Sequence, residues 1–440
     1  MLLVQQITFI IVLAVAIFFL RQRVLMIRRN ILMGKNLDRS DRSSARWHTM
    51  LLVAFGQKKM FKNFIPAFLH LLIYLGFILI NIEVLEIVLD GILGTHRLFA
   101  PFLGDFYNFL INFFEFLALG VLVACIIFLI RRNVLKLKRF HSAEMTAWPR
   151  LDANLILIIE CFLMVAILSM NAADQLLQQV HADGYTQTGS FIFSAALFPL
   201  FESLSQTGLL VLERFAWWFH IIGILAFAIY ITYSKHLHIF MAFPNTYYSN
   251  LESRGKMDIM PTVTNEVKLM LGLQSESSIP PPTEAERFGA KDVTDLYWKN
   301  LMDAYACTEC GRCTAECPAN LTGKKLSPRK IMMDTRDRTE ELGNHKSKNT
   351  TDSKSLLGDY ITKEEINACT SCNACVEACP VNIDPLSIIL QLRRYVTMEE
   401  SAAPASWNSM FQNIETNFAP WKFSPQDRFN WAEPLKEKKQ

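Results

Sequence analysis

Eight of the ten cysteines lie in two clusters of identical spacing. The first cluster consists of Cys307, Cys310, Cys313 and Cys317, and the second consists of Cys369, Cys372, Cys375 and Cys379. A proline follows the last cysteine of each. Three thiolates separated by two residues bind three corners of one iron–sulfur cubane, and the fourth, next to the proline, reaches the other cubane of a two-cluster domain. The spacing therefore predicts two [4Fe–4S] clusters.

The crossing of the fourth cysteines assigns the ligands. Cluster 1 is expected to use Cys307, Cys310, Cys313 and Cys379, and cluster 2 is expected to use Cys369, Cys372, Cys375 and Cys317. Two zinc sites or a set of disulfides are the alternatives, but zinc sites rarely need four cysteines at this spacing before a proline. Since each cubane passes one electron and no flavin or nucleotide fingerprint is visible, the clusters predict an electron conduit. Metal-bound cysteines also indicate a reducing compartment.

Three histidines in or beside apolar stretches are candidate haem ligands. His220 and His238 are 18 residues apart, so on one continuous helix they share a face about 27 Å apart, with His236 pointing almost oppositely. We expect His70 and His238 to bind a b-type haem at the end nearest the cysteines. His220 is a candidate ligand of a second haem, although the matching position on the helix of His70, Ile80, cannot ligate iron. The alternative for each histidine is an interhelical hydrogen bond or an interfacial position.

Five apolar stretches position these histidines, because a bilayer is crossed by about 20 residues of helix. They cover residues 3–20, 64–89, 107–130, 151–171 and 215–234. Hydrophobic residues make up 51% of the chain and charged residues 19%, against about 25% charged in soluble proteins. Since residues 251–440 contain no such stretch, we expect a membrane half and then a soluble half. The first stretch lacks the features of a signal peptide and reads as a retained anchor.

Basic residues give the orientation of the spans. The loop 21–62 contains eleven Lys and Arg residues and the loop 131–150 contains six, whereas the loops 90–106 and 172–214 contain one each. The positive-inside rule then places the N-terminus outside and the iron–sulfur half in the cytoplasm. We expect a multi-pass protein of the bacterial inner (plasma) membrane. Because the basic loops adjoin spans, they indicate lipid contact and no nucleic acid.

The expected fold class is all-α, with a five-span bundle followed by a mostly helical two-cluster ferredoxin domain. The predicted domains are the membrane domain 1–245, a cytoplasmic linker 246–292, the cluster domain 293–400 and a C-terminal tail 401–440 that contacts a partner subunit. The Pro-rich segment Gln274–Thr283 predicts a stiff linker. Residues 191–212 are apolar but interrupted by polar residues, and we expect an interfacial or re-entrant piece there rather than a sixth span.

Carboxylates within the spans are candidates for proton or quinone chemistry, because a charge in the bilayer is costly. Glu83 and Glu86 lie late in the second span and are the candidates for a proton relay to a quinone site. Glu115 and Glu160 are read instead as neutral side chains that bond neighbouring helices.

The membrane half resembles the haem-b gamma subunit of respiratory nitrate reductase, in its five spans, the histidine of span two and the 18-residue histidine pair of span five. The soluble half resembles the two-cluster part of heterodisulfide-reductase-like proteins. Together they are similar to the fused membrane iron–sulfur oxidoreductases of that superfamily. Two features depart from the pattern. The gamma subunit's second histidine on span two is missing, and the downstream Cys-rich (CCG-type) domain would begin near Trp431, where this chain stops.

This resemblance implies an oxidoreductase subunit that transfers electrons between a cytoplasmic partner and menaquinone. The implied partners are a separate CCG-type subunit and electron-transfer flavoprotein, and the implied cofactors are two [4Fe–4S] clusters and haem b, with quinone as the substrate. Two other interpretations remain. One is a haem-free membrane anchor whose ferredoxin domain docks partners, and the other is a proton-translocating module of a larger respiratory complex. No catalytic residue is predicted.

Overall fold

The computed structural model describes residues 2–275, 287–350 and 352–437. Helices dominate these ranges, and the β contacts among them are isolated bridges such as Lys35 with Tyr297. The predicted all-α class is confirmed. Most of the Pro-rich segment Gln274–Thr283 lies outside the described residues.

Within the described ranges, five helices are long and apolar enough to cross a membrane. They are α1 (Leu2–Ile31), α3 (Phe64–Leu93), α5 (Asp105–Asn133), α6 (Ala147–Gln179) and α8 (Gln206–Ile231). Shorter helices connect them: α2 (Ser43–Met50), α4 (Ala100–Leu103) and α7 (Phe198–Phe201). Helices α3, α5, α6 and α8 pack in sequence, and α1 packs against α3 and α8. The predicted five-span bundle is therefore confirmed, with each helix longer than its apolar stretch.

The segment 191–212 divides between two structures. Its first part forms short turns and α7, packed against α6, with Phe198 and Phe201 beside the buried Leu177 and Leu209. From Gln206 onward it is the first turns of α8, which Ser205 caps by accepting a hydrogen bond from the Gly208 amide. The prediction of a separate interfacial piece is thus wrong for 206–212, because an N-cap followed by an apolar run extends the fifth span.

Helix α8 ends at Ile231, so the predicted continuous helix from His220 to His238 is also wrong. The carboxylate of Asp152 on α6 accepts hydrogen bonds from the Ser234 hydroxyl (2.7 Å) and the Lys235 amide (3.2 Å). Side chains that bond the backbone in this way replace helical hydrogen bonds. A tight turn, Lys235–Leu237, follows, and α9 (His238–Tyr247) starts in a new direction.

The soluble half has its own core. Its helices are α10 (Pro261–Met270), α11 (Trp298–Ala306), α12 (Arg312–Ala315), α13 (Pro318–Leu321), α14 (Pro328–Lys348), α15 (Lys363–Asn367), α16 (Ala374–Ala378), α17 (Pro385–Met398), α18 (Ala405–Asn417) and α19 (Glu433–Glu437). The buried side chains of Leu301, Ile331, Ile366, Ile388 and Leu392 unite α11, α14, α15 and α17. The four-residue helices α12 and α13 and the five-residue α16 follow the cysteine loops.

Helix α1 continues past the bundle and joins the two halves. Arg23 forms two 2.9 Å hydrogen bonds with the carboxylate of Glu340 on α14, and the Asn30 amide donates to the Tyr305 hydroxyl. Just after α1, Gly34 lies so close to the backbone of Trp298 that a Cβ atom would be 2.6 Å from its nitrogen. The soluble domain is therefore packed directly on the end of the membrane bundle.

Candidate functional site

The two cysteine loops have the same backbone conformation. Glu309 and Ser371, each two residues after the first cysteine of its loop, both have φ of 54°. Gly311 and Asn373, each just after the second cysteine, have φ of 73° and 60°. Left-handed conformations are costly for residues other than glycine and concentrate at functional sites. Alternation of right- and left-handed residues turns successive amides toward one point, as in many iron–sulfur sites.

Backbone amides point at the cysteine sulfurs. The amides of Glu309 and Ser371 donate to Cys307 Sγ and Cys369 Sγ, at 3.4 Å in both loops. The amide of Ile383 donates to Cys379 Sγ at 3.3 Å. Hydrogen bonds to the ligating sulfurs help to set the potential of an iron–sulfur cluster.

Each fourth cysteine lies beside the loop of the other motif. Burial raises the pKa of Cys313, and the nearby thiols of Cys310, Cys307 and Cys379 raise it further. In the second loop, burial raises the pKa of Cys375, with contributions from Asp384, Cys369 and Cys317. The chain therefore brings together the two sets of four cysteines that the crossing pattern assigns.

The cysteine sets fit a cluster better than a single ion. In the described part of the chain, no three His, Cys, Asp or Glu side chains converge closely enough to hold one metal ion. One small cavity is nevertheless lined by all four of Cys307, Cys310, Cys313 and Cys379. Burial raises the pKa of Cys307 to about 12 and that of Cys379 to about 11, so deprotonation needs a compensating positive charge. Iron would supply that charge, since metals bind the thiolate form.

A second cavity, of about 440 Å³, penetrates the membrane bundle. His70, His220, His236 and His238 line it together with Thr308 and Cys310 of the first cysteine loop. Four arginines also line it: Arg131, Arg132, Arg139 and Arg312. The remaining lining is largely apolar, and the volume is that of a pocket for one sizeable organic ligand, which is about 300–1,000 Å³.

All three predicted histidines have the same hydrogen bond on Nδ1. His70 Nδ1 lies 3.2 Å from Gln57 Oε1, His220 Nδ1 lies 3.0 Å from the Leu163 carbonyl and His238 Nδ1 lies 3.2 Å from the Lys235 carbonyl. Each partner oxygen accepts, so Nδ1 carries the proton and Nε2 offers a lone pair. Histidines that ligate metals usually have such a second bond, which fixes the ring and its tautomer.

The rings of His70 and His238 have centres 6.4 Å apart. Two imidazoles that bind one metal from opposite sides, each with its nitrogen about 2 Å away, have ring centres about 6 Å apart. The pair thus fits a shared metal, while His220 lies elsewhere in the cavity. The His236 ring lies 5.3 Å from that of His238 and lines the same cavity, so its predicted opposite orientation is wrong.

Sequence reasoning missed an ion pair that joins the histidine turn to the first cysteine loop. Lys235 Nζ lies 2.5 Å from Glu309 Oε2, and Arg336 Nη2 lies 2.6 Å from Glu309 Oε1. Burial would raise the pKa of Glu309, but Arg336 and Lys235 outweigh it and hold that pKa below its usual value. The two partners are 74 and 27 residues away from Glu309 along the chain, so no local pattern indicates them.

The loop between α2 and α3 also reaches the site. Gln57 bonds His70, and Lys59 Nζ donates to the carbonyl oxygens of Val376 and Cys379 at 3.3 and 3.2 Å. The sequence suggested mainly lipid contact for this basic loop. Its proximity to His70 in the sequence, with Gln57 13 residues away, was the one available signal.

Glu83 and Glu86 are buried in a polar network away from the cysteines. Arg97 bonds Asp174 and lies 3.6 Å from Glu83, whereas Tyr107 donates to Glu86 at 2.8 Å. One oxygen of Glu83 is buried without a hydrogen-bond partner. The predicted acidic pair is thus part of a larger buried cluster centred on Arg97, which no sequence motif marks.

Comparisons with known proteins agree with the cysteine geometry. A family model described as a 4Fe-4S dicluster domain matches residues 306–383. The "Probable iron-sulfur-binding oxidoreductase FadF" of Bacillus subtilis is 29% identical over 97% of this chain and 60% of its own length. The "EtfAB:quinone oxidoreductase" of Syntrophomonas wolfei is 25% identical over 90% of this chain and 55% of its own length.

A relative that matches over a shorter stretch belongs to the dihydromethanophenazine:CoB–CoM heterodisulfide reductase of Methanosarcina mazei. This protein is 26% identical over 34% of the present chain and 38% of its own length. The chain spans little more than half the length of the relatives that it matches along most of its sequence. No solved structure matches it. The relatives are iron–sulfur oxidoreductases, which confirms the predicted resemblance to heterodisulfide-reductase-like proteins.

Proposed function

We propose that the chain is the electron-transfer subunit of a membrane quinone oxidoreductase, which passes electrons between a cytoplasmic partner and the menaquinone pool. One observation carries the proposal: the cavity that contains His70 and His238 also reaches Cys310 of the first cysteine loop. A redox group in that cavity would lie next to cluster 1. Relatives named as an oxidoreductase and as a quinone oxidoreductase support this reading.

His70 and His238 are the residues that would hold a b-type haem in the cavity. A haem bound by two histidines supplies a one-electron carrier whose potential the protein tunes. Gln57 and the Lys235 carbonyl orient the two rings. Arg131, Arg132, Arg139 and Arg312 provide positive charge for the two carboxylates of a haem.

The orientation rests on the charge of the bundle's two ends. Helix α1 ends on the soluble domain with Arg28 and Arg29 in its last turn, and α5 ends with Arg131 and Arg132. By the positive-inside rule this end faces the cytoplasm. The iron–sulfur domain would therefore meet cytoplasmic partners at a bacterial inner membrane.

The partner surface is proposed to include the C-terminal segment. After α17, residues of α18 and the following turns expose several large apolar side chains: Phe411, Ile414, Phe418, Trp421 and Trp431. A cluster of exposed aromatic residues marks an interaction site. We assign it to a subunit that carries the CCG-type domain, with electron-transfer flavoprotein as the electron donor that the Syntrophomonas relative's name suggests.

The experiment is a reoxidation assay on purified protein reduced with dithionite. Addition of a menaquinone analogue should reoxidise the clusters and a b-type optical band together. His70→Ala should remove the band and slow cluster reoxidation more than tenfold, while His181→Ala, at an exposed position, should leave both unchanged. A protein without a b-type band, or an unaltered rate in His70→Ala, would contradict the proposal and favour a haem-free anchor.

A further inference from the structure

The far end of the membrane cavity contains a histidine with an unused ring nitrogen. His220 is 1% exposed, and its Nδ1 lies 3.0 Å from the Leu163 carbonyl. Because a carbonyl only accepts, Nδ1 carries the proton and Nε2 is a bare acceptor. Nε2 is buried and has no hydrogen-bond partner within the described chain. A buried acceptor facing a cavity is suited to a ligand that brings a hydrogen-bond donor.

The surrounding residues do not complete a second haem site. On α3 the cavity is lined by Ile80, Asn81 and Val84, none of which is a haem ligand. Met164 also lines the cavity, but it follows Leu163 on α6, the helix that His220 already contacts. The total volume of about 440 Å³ suits one large macrocycle near His70 with a smaller ring beyond it.

This part of the cavity opens toward the lipid. Phe77 and Ile78 line it, and both are also partly exposed on the outer surface of α3, at 37% and 43%. The exposed Asn81 lies one helical turn further along and lines the cavity too. A ligand with an apolar tail can therefore have its ring beside His220 and its tail in the hydrocarbon.

We propose that this end of the cavity binds the ring of a quinol, with a ring hydroxyl donating to His220 Nε2 and the tail leaving past Phe77 and Ile78. The proposal rests on the proposed function, since it places the substrate of that reaction. A hydroxyl donates and a carbonyl does not, so the locked tautomer favours the quinol over the quinone. Glu160 lines the same region and is the nearest carboxyl for a second hydroxyl.

The test is binding of menadiol and menadione, which have the ring without the tail, to purified full-length protein under anaerobic conditions. We expect menadiol to bind more tightly than menadione. His220→Leu should weaken menadiol binding roughly 10- to 100-fold, change menadione binding little and leave the haem band intact. The exposed His181→Leu is the matched control.

A second variant keeps the test independent of any change in the core. Ile78→Trp enlarges a lipid-facing side chain at the mouth, so it should weaken binding of a decyl-tailed naphthoquinol and leave menadiol binding unchanged. Equal menadiol binding in wild type and His220→Leu would overturn the proposal. Loss of half of the b-type band in His220→Leu would also overturn it, because His220 would then ligate a second haem. A wild-type protein that does not reoxidise with quinone fails the proposed function itself.

Discussion

Lys235 Nζ lies 2.5 Å from a carboxylate oxygen of Glu309, and this buried pair joins the turn before His238 to the loop between Cys307 and Cys310. Arg336 bonds the other oxygen of the same carboxylate. The equivalent residue of the second loop is Ser371, which has the same left-handed backbone. The charged clamp is therefore particular to the cysteine loop that adjoins the membrane cavity.

Glu309→Gln should raise the reduction potential of cluster 1, because it removes a negative charge beside the cubane and leaves Lys235 and Arg336 uncompensated. The expected shift is on the order of tens of millivolts. An electron paramagnetic resonance titration of the purified protein measures it. Ser371→Ala is the control in the second loop and should leave the cluster 1 potential unchanged. An unchanged potential in Glu309→Gln would show that the carboxylate acts on position alone.

Exchange of the fourth cysteines should affect the opposite clusters. Cys317→Ser should remove the second cluster and Cys379→Ser the first, each lowering the iron content from about eight to about four atoms per chain. Comparison of the spectra with those of Cys369→Ser and Cys307→Ser identifies which cluster is lost. Cys161→Ser, in the bundle, should keep all the iron. A Cys317→Ser spectrum that matches Cys307→Ser would refute the crossed assignment.

Haem content should depend on His70 and His238 and not on His236. The His70→Ala and His238→Ala variants should each lose the b-type absorbance, because one ligand alone holds the group weakly. His236→Ala should retain it, although the His236 ring lies 5.3 Å from that of His238. A reduced-minus-oxidised optical spectrum, normalised to cluster absorbance, distinguishes the three variants. Loss in His236→Ala with retention in His238→Ala would assign the ligand to the neighbouring residue.

Arg97→Leu should destabilise the bundle by about 3–5 kcal/mol, because it leaves the buried Asp174 without its partner. The measurement is thermal unfolding in detergent, with the exposed Arg150→Leu as the control. The double variant Arg97→Leu with Asp174→Leu should be less destabilised than the sum of the single variants, since contacting residues are not additive. Additive losses would mean that the two side chains act independently.

Arg23→Ala should loosen the soluble domain from the bundle, since its guanidinium is the bidentate partner of Glu340. Faster amide exchange in α14 and in the end of α1 would report the change. Arg28, which is exposed further along the same helix, gives the matched control Arg28→Ala. Equal exchange in the two variants would show that docking depends on the apolar contacts.

The long-range pattern of the fold was predictable, whereas its polar joints were not. Apolar runs and cysteine spacing are local signals, so the five spans and the dicluster domain followed from the sequence. The break after Ile231 did not, because Asp152, 82 residues before Ser234, provides the competing hydrogen bond. For the same reason Gln57, Lys235 and Arg97 were passed over: each has its role through a partner on another segment.

The continuity of α1 into the soluble half has a consequence for biogenesis. Arg23 and Glu340 are 317 residues apart, and synthesis at about 5–20 residues per second takes roughly 15–60 s to cover that length. During that interval the inserted first helix presents Arg23 and Asn30 to water or to chaperones, although both become buried at the end. Final assembly of the membrane half must therefore wait for the last part of the chain to be made, and a failure of cluster insertion would leave that half unfinished.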